Sequence, residues 1–167
     1  MMMNRRVFMF YYILLALLVF LLDQGSKWMV VHFMNYGDTI PLWPGVFHIT
    51  SHRNAGAAFG ILQNQRGLFL LITVVVVVGI VAVLWRLKGK NPLLSVALSL
   101  VLGGALGNFL DRLVAGEVVD FLDFRLIHYP IFNLADSSIV IGVGLILFDS
   151  LFSGGRRKNE KEEEPVN

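Results

Sequence analysis

Cysteine is missing from all 167 positions, which removes disulfides, thiolate metal ligation and a cysteine nucleophile together. It leaves the redox compartment open. Charge is scarce too, at 16% of residues, while 56% are hydrophobic, above the roughly 45–50% of an ordinary soluble domain. Histidine occurs only at His32, His48, His52 and His128, and no HExxH pair is formed. His48 and His52 are four apart, but they fall in or near an expected strand, where that spacing serves ligation poorly; no metal site is expected. The pI near 9.1 does not make a nucleic-acid binder. The cations flank apolar runs and build no separate basic face.

What the chain does have is long apolar stretches, at about 7–22, 67–85, 92–110 and 131–148. Each is long enough, or nearly so, to cross a bilayer. The second is uncharged between Arg66 and Arg86, the third starts at Pro92, where a missing N–H costs little, and the fourth is interrupted by Asp136. The first follows Arg5 and Arg6, but Leu21-Leu22-Asp23-Gln24 is a poor cleavage site, so it reads as a retained anchor. The expected fold class is therefore membrane all-α with four transmembrane helices. Residues 1–152 form one domain, and the tail 153–167, which has no apolar periodicity, is expected to be disordered and cytoplasmic.

Nine of the fourteen lysines and arginines (Arg5, Arg6, Arg86, Lys88, Lys90, Arg156, Arg157, Lys158 and Lys161) share one side if both termini are cytoplasmic. The asymmetry predicts N-in, C-in. In the long outer segment, Pro41, Pro44 and Gly45 mark turns, 46–50 alternates as a short strand, and Trp28 and Trp43 suit the headgroup level.

Polar residues at hydrocarbon depth are the informative ones, because each is costly there. Asp136 precedes Asp149 by thirteen residues, or about 20 Å of helix, which in a core about 30 Å thick leaves it about 10 Å below the outer boundary. Asn133 shares its face. Asn108 shares a face with Arg112 at the outer end of the third span, and Asp120 in the following connection must lean inward to meet Asp136. Several residues also have bland readings. Asp111 and Arg112 alone suit an interfacial anchor, Asp23 is partly a topology signal, Asp149 is expected to be solvated, and Gly103 and Gly107 suit helix packing.

Three chemistries compete. A Ser26–Lys27 dyad is badly placed, because sequence neighbours do not face each other on a helix. Zinc lacks its ligand spacing. Paired carboxylates remain: two aspartates in a dry site share a proton, one activating a water and the other donating a hydrogen bond to the developing oxyanion. No cofactor is needed. Non-enzymatic rivals are a proton pathway, which would carry polar residues through the full thickness, and an assembly factor docking through Gly103 and Gly107.

Five blocks carry a resemblance: DQGSK at 23–27, NAGAAFG at 54–60, GGALGNFLDR at 103–112, VVDF at 118–121 and FNLAD at 132–136. In this order, across nearly all of residues 7 to 152, the chain resembles bacterial lipoprotein signal peptidase (signal peptidase II). The resemblance implies an aspartic endopeptidase that removes the signal peptide from diacylglyceryl-modified prolipoproteins, cutting before the lipid-modified cysteine. It implies Asp120 and Asp136 as the catalytic dyad, with Asp23, Asn54, Asn108, Arg112 and Asn133 in support. It also implies a small extracytoplasmic β-cradle with a short interfacial helix. The setting would be the bacterial cytoplasmic membrane, with the active site toward the outer leaflet. Partners would be prolipoprotein substrates and the lipid bilayer, with no obligatory protein partner.

Overall fold

The computed structural model describes residues 5–56, 61–127 and 129–162, with side chains described between residues 7 and 152. Four helices and three strands alternate along the chain: α1 (Arg5–Phe33), β1 (Thr39–Trp43), β2 (Phe47–Asn54), α2 (Arg66–Leu87), α3 (Pro92–Val114), β3 (Val118–Phe124) and α4 (Leu134–Glu162). All four helices are long and apolar enough to cross a membrane.

Two helices, α1 and α4, depart most from the sequence expectation. Helix α1 runs on past Asp23, because Asp23 and Lys27 are buried within the protein and the helix need not end to solvate them. Helix α4 begins at Leu134 rather than 131 and continues to Glu162 rather than stopping at 148. It thus carries ten residues of the expected disordered tail, a stretch whose Arg, Lys and Glu are good helix formers. Residues 163–167 lie outside the described residues.

Helix α3 is the hub, packing against α1, α2 and α4. Ala16, Ile80, Leu84, Leu98 and Leu102 form the buried apolar cluster at its lower half. Lipid tails are as apolar as leucine, so close backbone approach through small residues holds such helices together. A Cβ on Gly103 would lie 2.5 Å from the Ala16 carbonyl of α1, and one on Gly104 would run into the Ala135 carbonyl and Ser138 Oγ of α4. The packing role expected for Gly103 holds. Gly107 does more, since its missing side chain leaves room for the Asp23 carboxylate.

The strands form one antiparallel sheet in the order β1–β2–β3. Strand β2 extends to Asn54, four residues beyond the predicted 46–50 strand, and pairs His52 with Asp120. Pro41, read as a turn signal, lies inside β1, which is tolerated because β1 is an edge strand. Gly45, at φ +75°, makes the turn between β1 and β2. Strand β3 is the inward-leaning connection. Its backbone pairs Leu122 with Phe132, so the sheet is tied directly to the residue before the α4 cap. The only trace of a short helix beside the sheet, among the described residues, is the 3-10 turn Arg125–Ile127.

A candidate active site of paired carboxylates

Asp136 sits in the first turn of α4, and the cap builds its surroundings. Asn133, just before the helix, accepts from the Asp136 amide through Oδ1 at 2.9 Å, while its own amide donates to Asp136 Oδ2 at 3.2 Å. This reciprocal arrangement has the form of a capping box. The next free amide of the turn, Ala135 N–H, donates to Asp23 Oδ1 of α1 at 2.9 Å. Helix N-termini favour negative charge, and this one meets two carboxylates.

Asp120 reaches the same place from β3. Asn133 Nδ2 donates to its Oδ1 at 2.7 Å and Asn54 Nδ2 to its Oδ2 at 3.1 Å. Asn54 is itself fixed, because its Oδ1 accepts from the Gly56 amide at 2.9 Å in an Asx-type turn. Asp120 is 2% exposed. Burial, and then the charge of Asp136, push its carboxyl up to about 7, against the hydrogen bonds from Asn54 and Asn133. Asp123, three residues on and thus on the opposite face of the strand, behaves differently. There burial is outweighed by hydrogen bonds from Thr50 and Arg125 and by the charge of Arg125, and its carboxyl is held below the usual range.

Asn108 of α3 joins the two acids. Its Nδ2 donates to Asp136 Oδ1 at 2.8 Å, and its Oδ1 accepts from Asn133 Nδ2 at 3.1 Å and from Lys27 Nζ at 2.9 Å. An ammonium can only donate, so Lys27 fixes which way the Asn108 amide points. Lys27 is 3% exposed and also pairs with Asp23 and Asp111, both at 2.8 Å. A cavity of about 220 Å³ opens onto the pair, with Asn54, Asn108, Arg112, Asp120, Tyr129 and Asp136 in its wall.

A family model described as Signal peptidase (SPase) II matches residues 15–152. The chain belongs to the signal peptidase II family. It is 57% identical over 148 residues to the lipoprotein signal peptidase of Brevibacillus brevis, covering 89% of this chain and 99% of that one. With the lipoprotein signal peptidase of Bacillus subtilis it shares 50% over 152 residues, covering 90% and 99%. A solved structure described as a bacterial membrane enzyme at 2.3 Å superposes with a TM-score of 0.83 at 40% identity, covering 94% of each chain. A second, at 1.9 Å, gives 0.77 at 43% identity, covering 84% and 92%.

All seven residues singled out from the sequence lie in this one region of the signal peptidase II fold, though not in equal roles. Arg112 lines the cavity but donates to the Gly56 carbonyl at 3.1 Å, and its guanidinium stacks over Phe69 at 4.5 Å. It therefore holds the loop that carries Asn54. Asp23 is fully buried and binds the α4 N-terminus, well beyond a topology signal. Asp149, expected to be solvated, accepts from Asn91 Nδ2 at 2.7 Å and ties α4 to the cap of α3. Ser26 Oγ donates to the Asp23 carbonyl and Lys27 lies among carboxylates, so they form no dyad. Residues 57–60 of the NAGAAFG block, and His128, lie outside the described residues.

Sequence reading missed Lys27, Gln24 and the inward role of Asp111. Gln24 Nε2 donates to Asp111 Oδ1 at 3.0 Å, and Asp111 Oδ2 accepts from the Val119 amide at 3.3 Å, anchoring β3. The available signal was the four-residue spacing of Asp23 and Lys27 on a helix that does not stop at 22.

Proposed function

We propose that Asp120 and Asp136 are the catalytic pair of a membrane aspartic peptidase. As a signal peptidase II, the chain removes signal peptides from prolipoproteins, and in our reading the cut falls just before the lipid-modified cysteine. The observation that carries the dyad is the shared amide pair: Asn133 donates to Asp120 and Asn108 to Asp136, and Asn133 also donates to Asn108.

Asp120, pushed up to about 7, is the partner that carries the proton. Asp136 then takes a proton from the attacking water, while Asp120 donates to the carbonyl oxygen as it gains charge. Collapse of the tetrahedral species expels the new amine, which takes the proton held by Asp136. No covalent enzyme intermediate is formed. The scissile bond would lie in the cavity walled by both acids, with the apolar signal helix remaining in the bilayer.

Both termini are assigned to the cytoplasm and the active site to the outer leaflet. The cations at the carboxylate end are engaged within the protein: Lys27 with acids, Arg66 with the Leu113 carbonyl at 2.6 Å, and Arg125 with Asp123 at 2.9 Å. Those that set topology cluster at the other end. The dyad is tested by purified Asp120→Asn and Asp136→Asn proteins with a diacylglyceryl-modified prolipoprotein. Each should lose at least about 10²-fold in single-turnover rate, in the range of general acid–base contributions. Wild-type cleavage by either variant would overturn the assignment.

A further inference from the structure

The signal peptidase II reading accounts for one end of the bundle and leaves the other unexplained. There a cavity of about 260 Å³ lies between the start of α1 and the end of α2, lined by Phe8, Met9, Tyr12, Leu84, Trp85, Lys88 and Gly89. It approaches the lower end of ligand-pocket sizes, about 300 Å³. Tyr12 and Asp23 are eleven residues apart on α1, about 16 Å, so this cavity is remote from the carboxylates.

It is a built feature rather than a gap between helix ends. Helix α2 ends on Lys88 in the left-handed conformation, φ 52°, and Gly89 follows at φ +77°. A Cβ at Gly89 would stand 2.8 Å from the Phe8 ring, so the α2–α3 turn is seated directly on α1. That contact holds Lys88 in the wall of an otherwise largely apolar recess. Trp85 and Tyr12 add two amphipathic rings of the kind found at the headgroup level.

The charge of the α2–α3 turn has one sign, and Asp149 of α4, the acid that reaches this turn, is hydrogen-bonded by Asn91. Arg86, Lys88 and Lys90 fall within five residues, with Arg5 and Arg6 at the start of α1, and no acid occurs between Arg66 and Leu110. Among the described residues, no hydrogen bond or ion pair engages the side chains of Arg86, Lys88 or Lys90. A pocket between transmembrane helices lined by a lysine, aromatic rings and apolar side chains matches the chemistry of an anionic phospholipid.

We propose that the α1–α2 recess binds one anionic phospholipid, its phosphate at Lys88 and one acyl chain along Met9, Leu84 and Trp85. Lys88 is the selecting group, because a zwitterionic lipid brings its own cation to the same place. The test is native mass spectrometry of the full chain, stripped of lipid and titrated with phosphatidylglycerol or with phosphatidylcholine of the same acyl composition. The expected result is one preferentially retained phosphatidylglycerol, with Lys88→Asn weakening it about five-fold, as expected for one basic residue at an anionic surface. Asparagine tolerates the left-handed conformation, so this variant keeps the turn. Lys88→Glu should weaken it further. Lys90→Asn, which removes equal charge outside the lining, should have a smaller effect. Prolipoprotein cleavage in detergent should be unchanged in all three. Equal retention of the two lipids, unaltered phosphatidylglycerol affinity in Lys88→Glu, or displacement by millimolar inorganic phosphate would each overturn the proposal.

Discussion

At the scale of single residues, the site is a problem of amide orientation. Asparagine presents an acceptor and a donor that could be exchanged by a flip, and each asparagine here is fixed by a partner of one kind only. Lys27 fixes Asn108, the Gly56 amide fixes Asn54, and the Asp136 amide fixes Asn133. Each then points an amide donor at Asp120 or Asp136, and Asn133 also donates to Asn108. Asp120, with its carboxyl raised to about 7, costs stability in the charged form. A raised acid contributes fully below its unfolded value, and that contribution is lost as pH rises through about 7. Asp120→Asn should therefore raise the thermal midpoint at pH 8, by a gain on the order of 1–3 kcal/mol, and change it little near pH 4. Paired thermal melts at the two pH values check this. Wild-type cleavage should also decline above pH ~7, as Asp120 loses the proton it donates.

At the scale of elements, α1, α3, α4 and β3 are locked to one another by buried polar contacts. Lys27 of α1 binds Asp111 and Asn108 of α3, and Asp23 of α1 binds the first turn of α4. Lys27→Met would leave two buried acids unpaired and should destabilise by about 3–5 kcal/mol, measured as a loss of folded protein in detergent denaturation. Gly104→Val would push on the Ala135 carbonyl, one residue from Asp136. It should cost about 1–3 kcal/mol and lower the cleavage rate even in the protein that remains folded. The helices and the packing glycine Gly103 were legible in the sequence because hydropathy and small-residue spacing are local signals. So was Asn108, which shares a helix face with Arg112; Asn133, expected on the face of Asp136, instead caps the helix that carries it. Strands β1 and β3 were not, since Pro41 reads as a turn and two aspartates in seven residues read as a loop. Strand β1 is held by its hairpin partner β2, and β3 by pairing with the same β2, distant in sequence. The inward role of Lys27 was hidden by ending the first span at 22, where the acid looked like an exit from the membrane.

At the scale of the whole molecule, charge and polarity divide the bundle into two ends. One holds buried acids with their cations paired, and at the other Arg86, Lys88 and Lys90, with no side-chain hydrogen bond or ion pair among the described residues, lie beside an apolar recess while Asp149 is held by Asn91. This division underlies the assignment of both termini to the cytoplasm. Because the chain lacks cysteine, single substitutions report cleanly on sidedness. Asp38→Cys, just before the exposed edge strand, should react with a membrane-impermeant maleimide in intact cells, and Lys90→Cys should react only after permeabilisation. The reverse pattern would invert the topology.

The central claim is that Asp120 and Asp136 act as one unit on one water, and a double-mutant cycle on the cleavage rate tests it most directly. Groups that act together lose their effect together, so the Asp120→Asn, Asp136→Asn protein should be no slower than the worse single variant. Losses that multiply in the double variant, or one single variant that cleaves at the wild-type rate, would contradict it.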